Sequence, residues 1–222
     1  LKELSLLSKS LYNELQTNGL SFQLDKKGLL IICGSTSTHK EESASARLAN
    51  DIGIEARELS KDEILNMEPV LASHIKGGVY YPGDCSLAPN RLMKNLIAVL
   101  ENSGVSFLKN ATVKSIKERA DRTVYTVIND KSFLFDDLVI SAGVWSNDLL
   151  KMIGKKVHLQ PGRGYSFDVP NRAINHPSLL IDERVSVTPF SDGTLRFGGG
   201  MELGYFNMNI FRKRLEKICE AA

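Results

Sequence analysis

Leucines at positions 4, 7, 11 and 15 recur at spacings of three and four, which predicts an amphipathic helix closed at Asn18-Gly19. Its apolar stripe needs a partner. Leu29-Leu30-Ile31-Ile32-Cys33 is a short continuous apolar run between glycines and reads as a buried strand, although period alone does not separate it from a helical turn. Ala44, Leu48 and Ile52 mark one face of a second helix, ended by Gly53. Ser60-Lys61-Asp62-Glu63 has the capping-box form, in which the serine caps the helix end and the glutamate reaches back. The short helix it opens stops before Pro69.

Residues 77–82 (GGVYYP) read as a strand running into a turn. From Pro89, in the first helical turn, Leu92, Leu96 and Leu100 line one helix face with Met93 and Ile97 beside them, ending at Asn102-Ser103-Gly104. Strands are expected at 105–108, 113–117, 124–128, 132–135 and 138–141, with Asn129-Asp130 as a hairpin turn. A short helix is expected at 146–153, strands at 157–169, 179–181, 185–189 and 195–198, and a last helix over 212–222. This order implies a mixed α+β and α/β fold, an α/β stretch flanked on both sides by parts of an antiparallel layer. Neither a repeat nor a linker-like composition interrupts it.

The 222 residues correspond to one large domain or two small interlocked ones. With 42% hydrophobic and 24% charged residues the chain is not disordered, collagenous or coiled-coil. A net charge of +2 does not imply a nucleic-acid partner. The longest apolar run, 29–33, is far short of the roughly 18 to 20 residues of a membrane span. Cys33, Cys85 and Cys219 lie far apart and fit a reducing compartment better than a disulfide framework or a zinc cluster. A soluble, cytoplasmic protein is the expectation. The chain starts at Leu1 and stops inside a helical pattern with no capping residue, so an excised piece of a longer protein is also expected.

Several features have plain structural readings. Gly162-Arg163-Gly164 and Gly198-Gly199-Gly200 lack the spacing of a phosphate-cradling loop and favour turns or close strand approach. His39, His74, His158 and His176 show no metal-ligand spacing and favour surface or turn positions; no metal is expected. Cys33 favours core over nucleophile, and Lys155-Lys156 and Arg212-Lys213-Arg214 favour solvated faces. Asp84 favours a turn role over ligand contact. For Ser141-Ala142-Gly143-Val144-Trp145-Ser146 two readings stay open: small residues that pack on a helix, or small residues that admit a cofactor beside an indole.

Residues 139–146 (VISAGVWS) resemble the strand-to-helix flavin-contact motif of FAD-dependent oxidoreductases of the D-amino-acid oxidase and glycine oxidase superfamily. Residues 77–84, followed by Pro89 and the Leu92 helix, are similar to that family's lead into its long helix. Residues 161–166 (PGRGYS), 180–184 (LIDER) and 198–202 (GGGME) resemble most the bacterial D-amino-acid dehydrogenase branch. The resemblance runs from about Phe22 to Asn207.

By this resemblance, Val113 matches the strand residue whose backbone meets the adenine end of FAD. Ala142, Gly143 and Trp145 match positions near the cofactor's pyrophosphate and flavin. Met201, Ser186 and Tyr165 fall on the substrate side; where glycine oxidase-like members place a tyrosine for the substrate carboxylate, this chain has Ser186 and Val187. The resemblance places the family's first strand and phosphate loop before residue 1, and its later Arg-Pro and Gly-rich segments after residue 222. It implies a discontinuous substrate-binding domain, 1–82 with 157–222, around a partial FAD-binding domain, 83–156. The implied reaction is hydride transfer from an amino-acid α-carbon to FAD in the full-length parent. No catalytic residue is assigned within the segment, and the isolated segment is not expected to retain FAD or turn over. A flavin-dependent 2-hydroxy-acid or glycerol-phosphate dehydrogenase and a non-catalytic interaction module are the alternatives. The electron acceptor, oligomeric state and any peripheral membrane contact of the parent stay open.

Overall fold

The computed structural model describes residues 1–71, 74–118, 124–171, 173–204 and 209–221. The chain divides into two compact units, one made of 1–103, 164–201 and 209–221, the other of 104–163 with 202–204.

The first unit opens with α1 (Lys2–Thr17) and continues through β1 (Leu24–Asp25), β2 (Leu29–Cys33), α2 (Thr36–Asp51), β3 (Arg57–Ser60), α3 (Lys61–Met67), β4 (Gly77–Tyr81), β5 (Ser86–Leu87) and α4 (Pro89–Asn102). The second unit holds β6 (Val113–Glu118), β7 (Val124–Ile128), β8 (Lys131–Phe135), a 3₁₀ turn (Gly143–Trp145) and α5 (Ser146–Lys151). After them come β9 (Gly162–Pro170), β10 (Ser178–Leu180), β11 (Val185–Pro189), β12 (Thr194–Leu203) and α6 (Arg212–Ala221). The end of the expected last helix, Ala222, and the expected limit of the family likeness, Asn207, lie outside the described residues.

Seven strands form one sheet in the order β3-β4-β2-β10-β11-β12-β9. Among its printed ladders only β2 and β10 pair in parallel, Leu30 opposite Ser178 and Ile32 opposite Leu180; β3/β4, β4/β2, β10/β11 and β11/β12 are antiparallel. Side chains alternate across it. Leu30, Ile32, Leu180, Val185, Val187, Leu195 and Phe197 point to the side covered by α3 and α6, where Ile64 and Ile218 pack on them. Ile31, Cys33, Val79, Leu179 and Ile181 point to the side covered by α2.

Three expectations about helix faces change. In α2 the buried positions are Ser43 and Ala46, while Ala44, Leu48 and Ile52 are exposed. The period holds and the face is reversed. His39, on the same side of α2 as Ser43 and Ala46, lies over Gly77, where a Cβ would sit 2.4 Å from its Cε1. In α1 Leu4, Leu7, Leu11 and Leu15 are all exposed, and Tyr12, on the flank of that stripe, packs toward Leu20, Phe22, Leu24 and Leu92. Lys2 and Lys9, on the side away from the leucines, donate to the carbonyls of Ile52 and Gly83. In α4 Leu92 is buried and Leu96, Ile97 and Leu100 are half-buried, but Met93 is exposed.

Residues 105–108 and 138–141 are not strands, and the expected strand over 157–169 begins only at Gly162. Apolar β-branched residues do not make a strand without a ladder partner, and Val139 lies open to solvent. β3, with the sequence Arg-Glu-Leu-Ser, escapes pattern reading because three of its four positions are polar. The capping box is present: Ser60 N–H donates to Glu63 Oε2 at 2.8 Å and Glu63 N–H to Ser60 Oγ at 3.4 Å.

Cys33 is fully buried, and burial, with Glu42 and Asp182 adding to it, pushes its thiol up to about 12. Iodoacetamide on the native protein is therefore expected to mark exposed Cys219 first and half-buried Cys85 more slowly, leaving Cys33 unmodified until unfolding. Peptide mapping that finds Cys33 alkylated as fast as Cys219 would overturn this.

Candidate functional site

In the second unit β6, β7 and β8 form an antiparallel meander. The expected hairpin turn joins β7 to β8, with Asn129 at φ 46° and Asp130 at φ 67°, the two left-handed residues of type I′. Asn129 also accepts the Thr112 N–H at 2.8 Å and donates to the Asn110 carbonyl at 2.9 Å, which ties down the chain entering β6 at Val113. Val113 pairs with Ile128 and is followed by a register irregularity.

Ala142, Gly143 and Trp145 share one tight turn that leads into α5, and α5 packs against β6. Gly143 has φ 55°, a left-handed value that favours glycine, and a Cβ there would meet nothing within 4 Å. The Trp145 residue is 57% exposed. The open space at Gly143 and the accessible Trp145 indole leave room for a flat group beside this turn. The phosphate loop G-x-G-x-x-G is not in this sequence. These residues thus fit the flank of FAD and supply no pyrophosphate cradle.

In the first unit the side of the sheet that carries α2 is open over β11, β12 and β9. Ser186, Thr188, Arg196, Gly198, Ser166 and Asp168 stand there, all half-buried or exposed. Ser186 lies opposite Gly198 and donates Oγ–H to its carbonyl at 3.1 Å. Arg196, opposite Thr188, makes two bonds to Asp168 at 2.7 and 2.9 Å, and its guanidinium sits 5.2 Å from the Phe190 ring centroid. The hydrogen bond from Arg196 holds the Asp168 carboxyl below its ordinary range against the opposing effect of burial.

Gly199 and Gly200 both turn toward α6: a Cβ on either would lie within 4 Å of Ile218. Two successive residues on one face break the alternation, and Gly200 at φ 67° absorbs the bend. Met201 then emerges on the Ser186 side, 79% exposed. The sheet therefore brings Ser186 and Met201 to one face. It sets Tyr165 on the other, buried with Val185, Phe197 and Ile218, its hydroxyl accepting the Phe211 N–H at 3.5 Å.

Two carboxylates to which the sequence assigns no role organise this unit. Asp182 accepts the Gly34 N–H at 2.7 Å and the Thr38 hydroxyl at 2.8 Å at the start of α2. Burial acts to raise its pKa, but these bonds and those from Ser35 outweigh it and hold the carboxyl below its ordinary range. Glu68, fully buried, takes the backbone N–H groups of Asn175 and His176 and lies 2.6 Å from His176 Nδ1. His39, lying over Gly77 with Nε2 3.6 Å from Glu58, is a half-buried helix residue and not the surface or turn histidine expected, whereas half-buried His176 does sit in the loop before β10. Among the described residues no group of three or more His, Cys, Asp or Glu could hold a metal ion, and no helix is long and apolar enough to cross a membrane.

The profile of the family described as "DAO: FAD dependent oxidoreductase" matches residues 1–222. The chain is 28% identical to a D-amino acid dehydrogenase of Neisseria meningitidis over 213 residues, covering 93% of this chain and 50% of the relative. It spans about half the length of the curated relatives it matches. Among solved structures it is similar to glycine oxidase from Bacillus cereus (TM-score 0.88, 21% identity, 99% of this chain and 62% of the other). It is also similar to L-alpha-glycerophosphate oxidase from Mycoplasma pneumoniae (TM-score 0.83, 22% identity, 96% and 61%).

Proposed function

Because the chain belongs to the DAO family of FAD dependent oxidoreductases, we propose that it is the substrate-facing part, with a portion of the cofactor-facing part, of an enzyme that oxidises the Cα–N bond of a D-amino acid. The likeness to D-amino acid dehydrogenases over 93% of the chain carries this reading. The chemistry supplied by bound FAD is acceptance of a hydride from the substrate α-carbon, leaving an imine that water hydrolyses.

Toward the cofactor, Ala142 and Gly143 admit close approach, Trp145 offers a flat apolar face and Val113 offers backbone. Toward the substrate, Ser186 and Met201 share the open sheet face. The Ser186 hydroxyl donates to Gly198, so it meets a ligand with its lone pairs, which suits an amine N–H and not a carboxylate oxygen. Tyr165 is a positioning residue: its ring packs 3.4 Å from where a Gly200 Cβ would be, behind the bend that turns Met201 outward. The proposed division of labour is a substrate layer in 1–82 and 157–222 and a cofactor portion in 83–156. The compact units support it except at 83–103, 157–163 and 202–204, which pack with the other unit in each case. Three free cysteines support a cytoplasmic location.

The test is anaerobic mixing of the full-length, flavin-loaded protein with D-amino acids, L-proline, 2-hydroxy acids and glycerol phosphate. D-amino acids alone are expected to bleach the oxidised flavin band near about 450 nm. Bleaching by a hydroxy acid or glycerol phosphate instead would transfer the assignment to that donor, and no bleaching by any would leave a non-catalytic module.

A further inference from the structure

On the side of the seven-stranded sheet away from Ser186, the two covering helices leave a gap. α3 closes over Leu30 and Ile32, and α6 closes over Val185, Tyr165 and Phe197. Between them lies a cavity of about 600 Å³, within the size range of small-molecule sites. Its floor is apolar, made by Leu180, Val187, Leu195 and Phe197.

Four ionisable side chains stand around this floor: His74 beyond α3, Glu183 in the turn between β10 and β11, and Lys217 and Glu220 on α6. All four residues are exposed, and none of these side chains has a hydrogen-bond or ion-pair partner among the described residues. Lys217 and Glu220, three residues apart, project from the same face of the helix. Charges of both signs thus flank one apolar surface. A ligand with a single charge would satisfy one sign and leave the other facing its apolar body.

We infer that this cavity is a second ligand site, for a zwitterion with a bulky apolar side chain, such as an aromatic amino acid. The ammonium group of the ligand faces Glu183 and Glu220, its carboxylate faces Lys217, and its side chain lies on Leu195 and Phe197. The site is separate from the sheet face that carries Ser186 and Met201, because it opens on the opposite side of the same strands.

Equilibrium dialysis of the full-length protein against L-phenylalanine, phenethylamine and 3-phenylpropionate tests this. L-phenylalanine is expected to bind, and each singly charged relative to bind roughly tenfold more weakly, the loss of one charge-assisted contact. Lys217→Glu is expected to weaken L-phenylalanine by roughly tenfold or more while leaving flavin reduction by substrate unchanged. Val187→Trp, which fills the cavity, is expected to abolish binding; should that variant not fold, exposed Lys217→Glu carries the test alone. Absence of L-phenylalanine binding, equal binding of the singly charged compounds, or binding indifferent to Lys217→Glu overturns the inference. Dialysis reads binding alone, so its result stands whichever donor reduces the flavin.

Discussion

Replacing Gly78 with alanine is expected to unfold the first unit or bring it close to unfolding. Gly78 sits in β4 between β2 and β3, opposite Ile32 on one side and Leu59 on the other. A Cβ there would lie 2.0 Å from the Ile31 carbonyl oxygen, 3.0 Å from Ile64 Cδ1 and 3.2 Å from the Ile31 carbonyl carbon. Two of these three are backbone atoms of a paired strand, which cannot rotate away as a side chain can. Relief requires moving β4 off β2, with loss of ladder hydrogen bonds and of the packing of Val79 and Ile31 on α2. Overpacking a core typically costs about 1–3 kcal/mol and more when backbone must shift, so a loss of about 3 kcal/mol or more is expected. Against a total stability of about 5–15 kcal/mol this is a large fraction. The measurement is urea denaturation, in which the midpoint should fall by about 1–2 M at unchanged slope. Gly83→Ala is the control, since a Cβ there meets only the end of the Lys9 side chain at 3.9 Å. Equal midpoints for the two variants would show that the strands do not approach this closely.

Glu68→Leu is the second large effect expected. Glu68 caps the end of α3, is fully buried, and receives Asn175 N–H at 3.0 and 3.1 Å and His176 N–H at 2.7 Å. It holds the backbone just before β10 in place, where the Pro177 carbonyl accepts the Leu30 N–H at 2.9 Å and the parallel pairing with β2 begins. Leucine keeps the volume but leaves those N–H groups and the His176 ring without their acceptor. Removing one partner from a buried charged network costs about 3–5 kcal/mol. Glu68→Gln keeps one acceptor oxygen and is expected to cost less, about 1–2 kcal/mol. His176→Ala, at a partly exposed ring, is expected to cost least. The order Leu, Gln, then the histidine variant, read by chemical denaturation, is the result to check. A Glu68→Leu protein within about 1 kcal/mol of the parent would mean that the carboxylate anchors nothing.

Local rules act on local sequence. The capping box at Ser60, the Pro89 helix, the hairpin turn at Asn129-Asp130 and the buried run 29–33 each depend on a few neighbouring residues and appear as expected. The resemblance in 139–146 and 198–202 pointed to the family that the whole chain matches. Elsewhere a partner distant in sequence decides. Residues 138–141 have strand composition and no ladder. β3 has a ladder and no strand composition. α2 turns Ser43 and Ala46 to the sheet and sets His39 over Gly77, a contact held some thirty residues away.

The candidate site divides the same way. Val113, Ala142, Gly143, Trp145, Ser186, Met201 and Tyr165 could be nominated from motifs, because a motif is a property of contiguous residues. That Ser186 and Met201 share a face while Tyr165 stands behind it follows from a bend at Gly199-Gly200 and from strand register, which are properties of paired strands. Asp182 and Glu183 lie in the motif at 180–184 and Glu68 in none, but for all three the role is invisible in the sequence, since what they meet lies far along the chain or on other elements. By itself, then, the sequence determined the helices, the capping box, the hairpin turn and the family. The tertiary structure alone decided which face each side chain meets, because a side chain's surroundings are set by which strands pair, and pairing joins residues that the chain keeps apart.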